Sequence, residues 1–361
     1  MQMTSQVDTL FVNMHGVTLT LEADNPRLMG YASEHLKGLM GPPTATPNLH
    51  VKCFWTQGHW DAQANPFSTN GAFNIIGKRM LGNANDLIWL DTLRMDGLQL
   101  RFMASEEKRW TFEVAYCFHP EKGKLEKLPE YEYKKYFSLM SYLVYYPLTW
   151  YLERYRGWTL LHASALVSEK GGIIIGGLGG VGKTTACVAL LQRVGFELVS
   201  ENLLFTDGEF LYPCYEPIRL DEKSLAMLGD KPAKLTPMRF PEGLKKKWLF
   251  HLNSQTIPQK VKPLVLFLPQ FTPRRFVKEL APELALEKIM AINRLTRELD
   301  DYYWYASALE MHWPWPGQAQ QRIDALRHFV QQVRCIELGI DQTAGIEAMV
   351  KDILNCIEKL A

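Results

Sequence analysis

The stretch GGIIIGGLGGVGKTT, residues 171–185, decides how the rest of the chain is read. Ile173, Ile174 and Ile175 form an apolar run without alternation, the pattern of a strand buried on both faces. Gly177 to Thr184 follow the spacing G-x-x-x-x-G-K-[ST], and ACVALLQR, residues 186–193, continues as a helix. Strand, loop and helix in that order let successive backbone N–H groups turn inward onto a phosphate chain. Gly177, Gly179, Gly180 and Gly182 permit the curvature, with Val181 inside the loop. Lys183 is placed to reach β and γ phosphates, Thr184 to ligate Mg²⁺, and Thr185 follows in the first helical turn. The positive end of that helix adds about 0.3–2 kcal/mol of attraction for phosphate. A plain glycine turn needs no lysine and threonine in succession, so the expected ligand is a nucleoside triphosphate, ATP with Mg²⁺.

Outward from the loop, TLLHASALV (159–167), FELVSENLLF (196–205), LYPCYEPIRL (211–220), PLVLFL (263–268) and VRCIELG (333–339) alternate with helical stretches. Strands interleaved with helices predict an α/β core with a mainly buried sheet over residues 158–361. Residues 282–312 read as one or two helices, stopped by the prolines around Trp313. Asp341 is expected to cap a last helix whose Ile346, Met349, Val350, Ile353, Ile357 and Leu360 share one face.

The front of the chain has a different texture. HVKCFW (50–55), AFNIIGK (72–78), DLIWLD (86–91), LQLRFMA (98–104) and WTFEVAYC (110–117) are short β-prone runs separated by turn residues, among them Asn83–Asp86 and Asp96–Gly97. They predict a meandering, mostly antiparallel sheet in a β-rich domain over 1–128. A tyrosine-rich segment over 129–157 reads as a connecting helix that Pro147 breaks or kinks.

Composition narrows the partners. In 361 residues, 40 basic side chains face 39 acidic ones, which leaves no global field to draw in nucleic acid. Neither a signal-like start nor a run of about 20 apolar residues is visible, so no membrane partner is expected and the default address is cytoplasmic. Six single cysteines without CxxC spacing read as reduced core residues.

The loop alone does not choose among its many users. The base-reading N-K-x-D and the LSGGQ string of transporter ATPases do not occur. What does occur is LLHASALV (160–167) before the loop strand and GFELVSEN (195–202) after the loop helix. In order and spacing this resembles the HPr kinase/phosphorylase-related family, and within it the group called HprK-related kinase B. The match is concentrated over roughly residues 158–221. The family's C-terminal substrate-contact motif and N-terminal domain are not recognisable.

The resemblance implies a P-loop core of the PEP carboxykinase/HPr kinase-like kind behind the β-rich domain. It implies a kinase that moves the γ-phosphate of Mg-ATP to a hydroxyl of a protein or small molecule. Lys183, Glu201 and His162 fall at the catalytic positions, with Glu201 as the base and His162 orienting phosphate or acceptor. Thr184, Glu201 and Asn202 fall at the metal positions. Members of the group are encoded beside an ATP-grasp protein, which adds that partner class, and further copies of the chain are another. The chain departs from the family at its acidic pair, where Glu201 replaces an aspartate and the neutral Asn202 stands where a second carboxylate is expected, and this keeps an ATP-sensing, catalytically impaired module as the alternative. Lys245–Lys247 with Arg239 and His251, and Asp207, Asp221 and Glu222, are lesser candidates. A solvated loop and a helix cap are the simpler readings of these.

Overall fold

The structure is a computed structural model that describes residues 8–59, 61, 64–67, 72–90, 95–105, 107–119, 127–128, 130–228, 235–240, 244–250 and 257–360. It is a mixed α/β fold with several sheets, and the chain divides into two compact units. One comprises Met1–Leu152, Arg239–Leu244 and Asp301–Pro316; the other comprises Glu153–Met238, Lys245–Asp300 and Gly317–Ala361. No helix among the described residues is long and apolar enough to cross a membrane.

The first unit is built on an eight-stranded sheet in the order β1-β2-β3-β8-β7-β6-β5-β4. Its strands are β1 (Asp8–Met14), β2 (Val17–Ala23), β3 (Leu49–Gln57), β4 (Asn74–Gly77), β5 (Met80–Gly82), β6 (Asp86–Trp89), β7 (Leu98–Ala104) and β8 (Trp110–Phe118). The antiparallel meander from β4 to β8 follows the sequence pattern. The sheet is mostly antiparallel, as expected, but the meander is interrupted at β3, which pairs parallel with both β2 and β8, and β1 and β2 extend the sheet ahead of the β-prone runs. The crossover from β2 to β3 carries α1 (Pro26–His35), whose cap Asn25 accepts from the N–H groups of Arg27 and Leu28. Parallel neighbours require such a crossover, and its helix had no strong sequence mark.

The tyrosine-rich segment is also corrected. α2 (Tyr131–Met140) continues through a π-helical turn, Ser141–Tyr145, into α3 (Tyr146–Arg156). Pro147 therefore does not break the helix. The missing proline N–H is absorbed by locally widening the turn ahead of it. Up to Leu152 these helices belong to the sheet's unit rather than standing apart, because their rings pack on it: Tyr136 lies 5.0 Å from Trp55 and Trp150 4.4 Å from Trp110. Tyr305, from the stretch 301–316, lies 5.2 Å from Phe102 and ties that stretch to the same unit.

The second unit centres on a six-stranded sheet ordered β12-β10-β11-β18-β20-β19. β11 (Gly171–Ile175), β18 (Pro263–Phe271) and β20 (Arg334–Ile340) are parallel, β10 (Ser164–Ser168) runs against β11, and β12 (Glu197–Ser200) runs against β10. β19 (Phe276–Leu280) closes the far edge. The ends of β11, β12, β18 and β20 therefore emerge on one side, where open α/β sheets bind ligands.

Helices cover both faces. Ile173, Ile175, Val265 and Phe267 pack with α4 (Lys183–Leu191) and α9 (Gly345–Glu358), and Ile174, Leu266 and Leu268 pack with α6 (Pro282–Leu295) and α8 (Gln318–Gln332). Burying each of these large apolar side chains is worth about 1.5–3 kcal/mol. This is why the isoleucine run shows no alternation. Residues 282–312 form two helices, α6 and α7 (Arg297–His312). Asp341 caps a short 3-10 turn, Gln342–Ala344, rather than α9 itself, while α9 buries Met349, Val350, Ile353 and Ile357 as the periodicity predicts.

Candidate functional site

A cavity of about 840 Å³ opens at the strand ends of the second unit. Its floor is the segment between β11 and α4. Gly177 there has φ 119°, and a Cβ at that position would press on the Pro269 carbonyl oxygen and on Val181 at 3.2 Å each. Gly182, at φ 91°, is the cap residue of α4 and contributes no side chain to it. Both positions sit in the left-handed region that glycine enters without steric cost. Gly179 and Gly180 face open space and line the cavity with Val181, Thr184 and Thr185. Gly177 lies beneath the loop and is buried.

Lys183 is buried, and its Nζ donates to the carbonyls of Gly177 at 2.8 Å and Leu178 at 2.9 Å, which tethers the lysine across the loop it follows. Burial lowers its ammonium to about 8, although Glu201 and Glu298 pull the other way. Thr184 donates its hydroxyl to Glu201 Oε1 at 2.5 Å. Glu201 is buried, and that burial raises its carboxyl above the ordinary value against the opposing pull of Thr184, Arg219 and Lys183. Thr184 and Glu201 are seventeen positions apart in sequence, and the parallel run of β12 and β11 brings them together.

Asn202 follows at φ 76°, a left-handed conformation that asparagine tolerates better than most side chains. Its Nδ2 donates to Glu216 Oε2 at 3.0 Å. The end of β12 is pinned by Ser200, whose hydroxyl donates to the carbonyls of Leu203 and Cys214 and accepts from the Cys214 N–H.

His162 lines the cavity but is not within a strand, because TLLHASALV splits into β9 (Thr159–Leu161) and β10. Asn293 holds that break by accepting from the His162 N–H at 3.1 Å and donating to Leu160 O at 3.1 Å. The ring's Nδ1 is buried without a hydrogen-bond partner among the described residues. Burial, with Lys183 nearby, lowers the imidazole to about 4. At neutral pH it is an uncharged ring that can donate one hydrogen bond, not a cation facing phosphate.

Sequence reasoning missed the wall opposite the loop. Arg219, on β15 (Ile218–Asp221), pairs with Glu298 of α7 at 3.3 Å, and both line the cavity. Glu216 stands behind Asn202, and burial raises its carboxyl to about 7. These charges come from separate elements, and the only local hint was a charged pattern, EPIRLD (216–221), inside an apolar run.

The lesser candidates separate cleanly. Lys247 begins β17 (Lys247–Phe250) and reaches the cavity, whereas Lys245 and Lys246 do not line it. Asp221 lines the rim and accepts from the N–H and hydroxyl of Ser224, the capping role predicted for it. Asp207 is held in a turn by Glu209, Phe210 and Tyr212, neither it nor Glu222 lines the cavity, and Arg239 belongs to the first unit. His251 lies outside the described residues. All six cysteines are free thiols, four of them buried. No cluster of three or more metal-ligating His, Cys, Asp or Glu side chains occurs among the described residues.

No family model matches the chain, and no curated protein matches it. Among solved structures it is similar to the Hpr(Ser) kinase/phosphatase from Coxiella burnetii, at 14% identity over 34% of this chain and 78% of that one, with a TM-score of 0.19. So small a structural overlap leaves the reading of the site to its own geometry.

Proposed function

We propose that this chain is a Mg-ATP-dependent kinase that transfers the γ-phosphate to a hydroxyl on a protein or small-molecule acceptor. The observation that carries this reading is the contact of Thr184 with Glu201 in one cavity with Lys183. The residues suit the ligand. The loop offers open backbone at Gly179 and Gly180 and the N-terminus of α4, and the metal-side donors Thr184, Glu201 and Asn202 are all oxygen ligands, as magnesium prefers. Magnesium held there would neutralise charge on the phosphates.

The chain's own part is positioning and proton handling. Lys183 exchanges its loop carbonyls for phosphate oxygens and stabilises charge as it spreads over the transferring group. Glu201 accepts the acceptor's hydroxyl proton as the new O–P bond forms and the bond to the β,γ-bridging oxygen breaks, leaving ADP. A carboxyl raised by burial is a stronger base than an exposed one, and such a base contributes about 10²- to 10⁴-fold. His162 acts as a neutral hydrogen-bonding side chain toward phosphate or acceptor.

A second reading rests on Asn202, whose amide is directed to Glu216 where the related family carries a second carboxylate. Under it the protein binds ATP and signals occupancy without transfer. Label from γ-³²P ATP, followed into protein and metabolite fractions of a lysate, decides between them. The kinase reading expects label with wild type and loss of at least about 10²-fold with Glu201→Gln, while ATP binding survives. ATP binding by wild type with no labelled product would leave the sensing module.

A further inference from the structure

The cavity has two chemically different ends on either side of the loop. Toward β12 and β15 it is charged, with Glu201, Arg219, Glu298 and Lys247. Toward β18, β20 and α9 it is mainly apolar, with Phe271, Ile340, Ile346 and Met349, and its one carboxylate, Asp341, accepts from the N–H and hydroxyl of Thr343. Phe271 ends β18 and is 47% exposed, an aromatic ring left open at the mouth of a ligand cavity. Ile346, in the first turn of α9, lies close to the loop, since a Cβ built on Gly182 would sit 3.6 Å from its Cδ1. The apolar end is thus continuous with the phosphate floor, and Gln342 on its rim carries both a donor and an acceptor.

The geometry points to this end as the seat of the purine base of the bound nucleotide, with Phe271 and Ile346 forming the apolar walls around its ring. The inference rests on the proposed nucleotide-binding role of the loop and adds its direction. The base lies over β18, β20 and α9, the triphosphate crosses the loop, and the γ-phosphate points to Glu201, so the acceptor enters from the Arg219 side. A flat aromatic ligand suits an exposed ring next to an aliphatic side chain, because every base has a π-face to stack and an apolar body to bury. The opposite orientation would desolvate a base against Arg219 and Glu298 and leave Phe271 in water.

The test compares Mg-ATP, Mg-GTP and Mg-tripolyphosphate binding by calorimetry, for wild type and the double variant Phe271→Ala/Ile346→Ala, with ligand-free thermal melts to confirm folding. The expected result is that wild type binds a purine nucleotide more tightly than tripolyphosphate. The double variant then loses about tenfold or more for that nucleotide while tripolyphosphate binding stays the same. Unchanged nucleotide affinity in the folded variant would overturn the assignment, as would an equal loss for nucleotide and tripolyphosphate. Wild type that binds tripolyphosphate but gains nothing from the base would overturn it while leaving the loop's phosphate role standing. Wild type that binds none of the three would overturn both.

Discussion

The β-rich unit and the unit that carries the loop bury different chemistry. Among the described residues the buried polar side chains of the first are Thr20, His35, Gln99 and Thr149, with no carboxylate, lysine or arginine among them. The second buries Glu153, Lys183, Glu201 and Glu337 beside His162, Asn202 and Asn293. Two of its charges are structural, Glu153 facing Arg322 at 2.6 Å and Glu337 facing Lys288 at 2.8 Å. Lys183 and Glu201 are held instead by loop carbonyls and a threonine hydroxyl, at the edge of a cavity. Burying a charge is costly, so a unit that leaves two of them beside open space is arranged for a ligand rather than for stability.

The comparison can be broken by substitutions that probe each unit's means of cohesion. Trp150 is fully buried, with Trp110 at 4.4 Å and Phe112 at 6.2 Å, so Trp150→Ala removes a ring from a core held by aromatic contacts. It is expected to cost about 3–5 kcal/mol, read from the urea midpoint at unchanged slope. A loss below 1 kcal/mol would mean that the rings are not what holds that unit.

In the other unit, Arg322→Ala removes the guanidinium that makes three N–H···O contacts of 2.6–3.2 Å with Glu153, whose side chain is 1% exposed. Breaking a buried pair from one side costs about 3–5 kcal/mol. The double change Arg322→Met/Glu153→Leu should recover much of it. Failure to recover would show that the pair is tied into further contacts.

How much of this was legible follows the same division. Continuous apolar runs such as Ile173–Ile175 and the glycine–lysine–threonine signature are local, and the sequence displayed them directly. The meander was legible because alternation and turn residues such as Asn83, which accepts from the N–H groups of Asn85 and Asp86, are local too. Parallel pairing of β3 was not, since nothing within β3 names its partners. Arg219, Glu216 and Glu298 were barely legible for the same reason: apart from the charges within EPIRLD (216–221), nothing local sets them off until the fold gathers them at the cavity and behind Asn202. Glu298 in particular looks like a carboxylate favouring a helix N-terminus, which it also is. The motif and the resemblance put Thr184 and Glu201 at metal positions without joining them, and only the fold shows them in contact.

The smallest expected effect is also the sharpest test of why the second unit buries a lysine. Burial lowers Lys183 to about 8, so in the free protein it is charged below that pH and increasingly neutral above it. Phosphate binding requires the charged form and, by placing anions beside it, raises the lysine's pKa in the complex. Binding above pH 8 must therefore take up a proton, and affinity falls as pH rises, approaching tenfold per unit. Measured between pH 7.5 and 9.5, where the terminal phosphate of ATP is already ionised, wild type should show that fall. Lys183→Arg, whose guanidinium stays charged, should bind more weakly but with a flat profile. A flat wild-type profile would mean that Lys183 keeps an ordinary ammonium, and that the loop carbonyls compensate its burial before any nucleotide arrives.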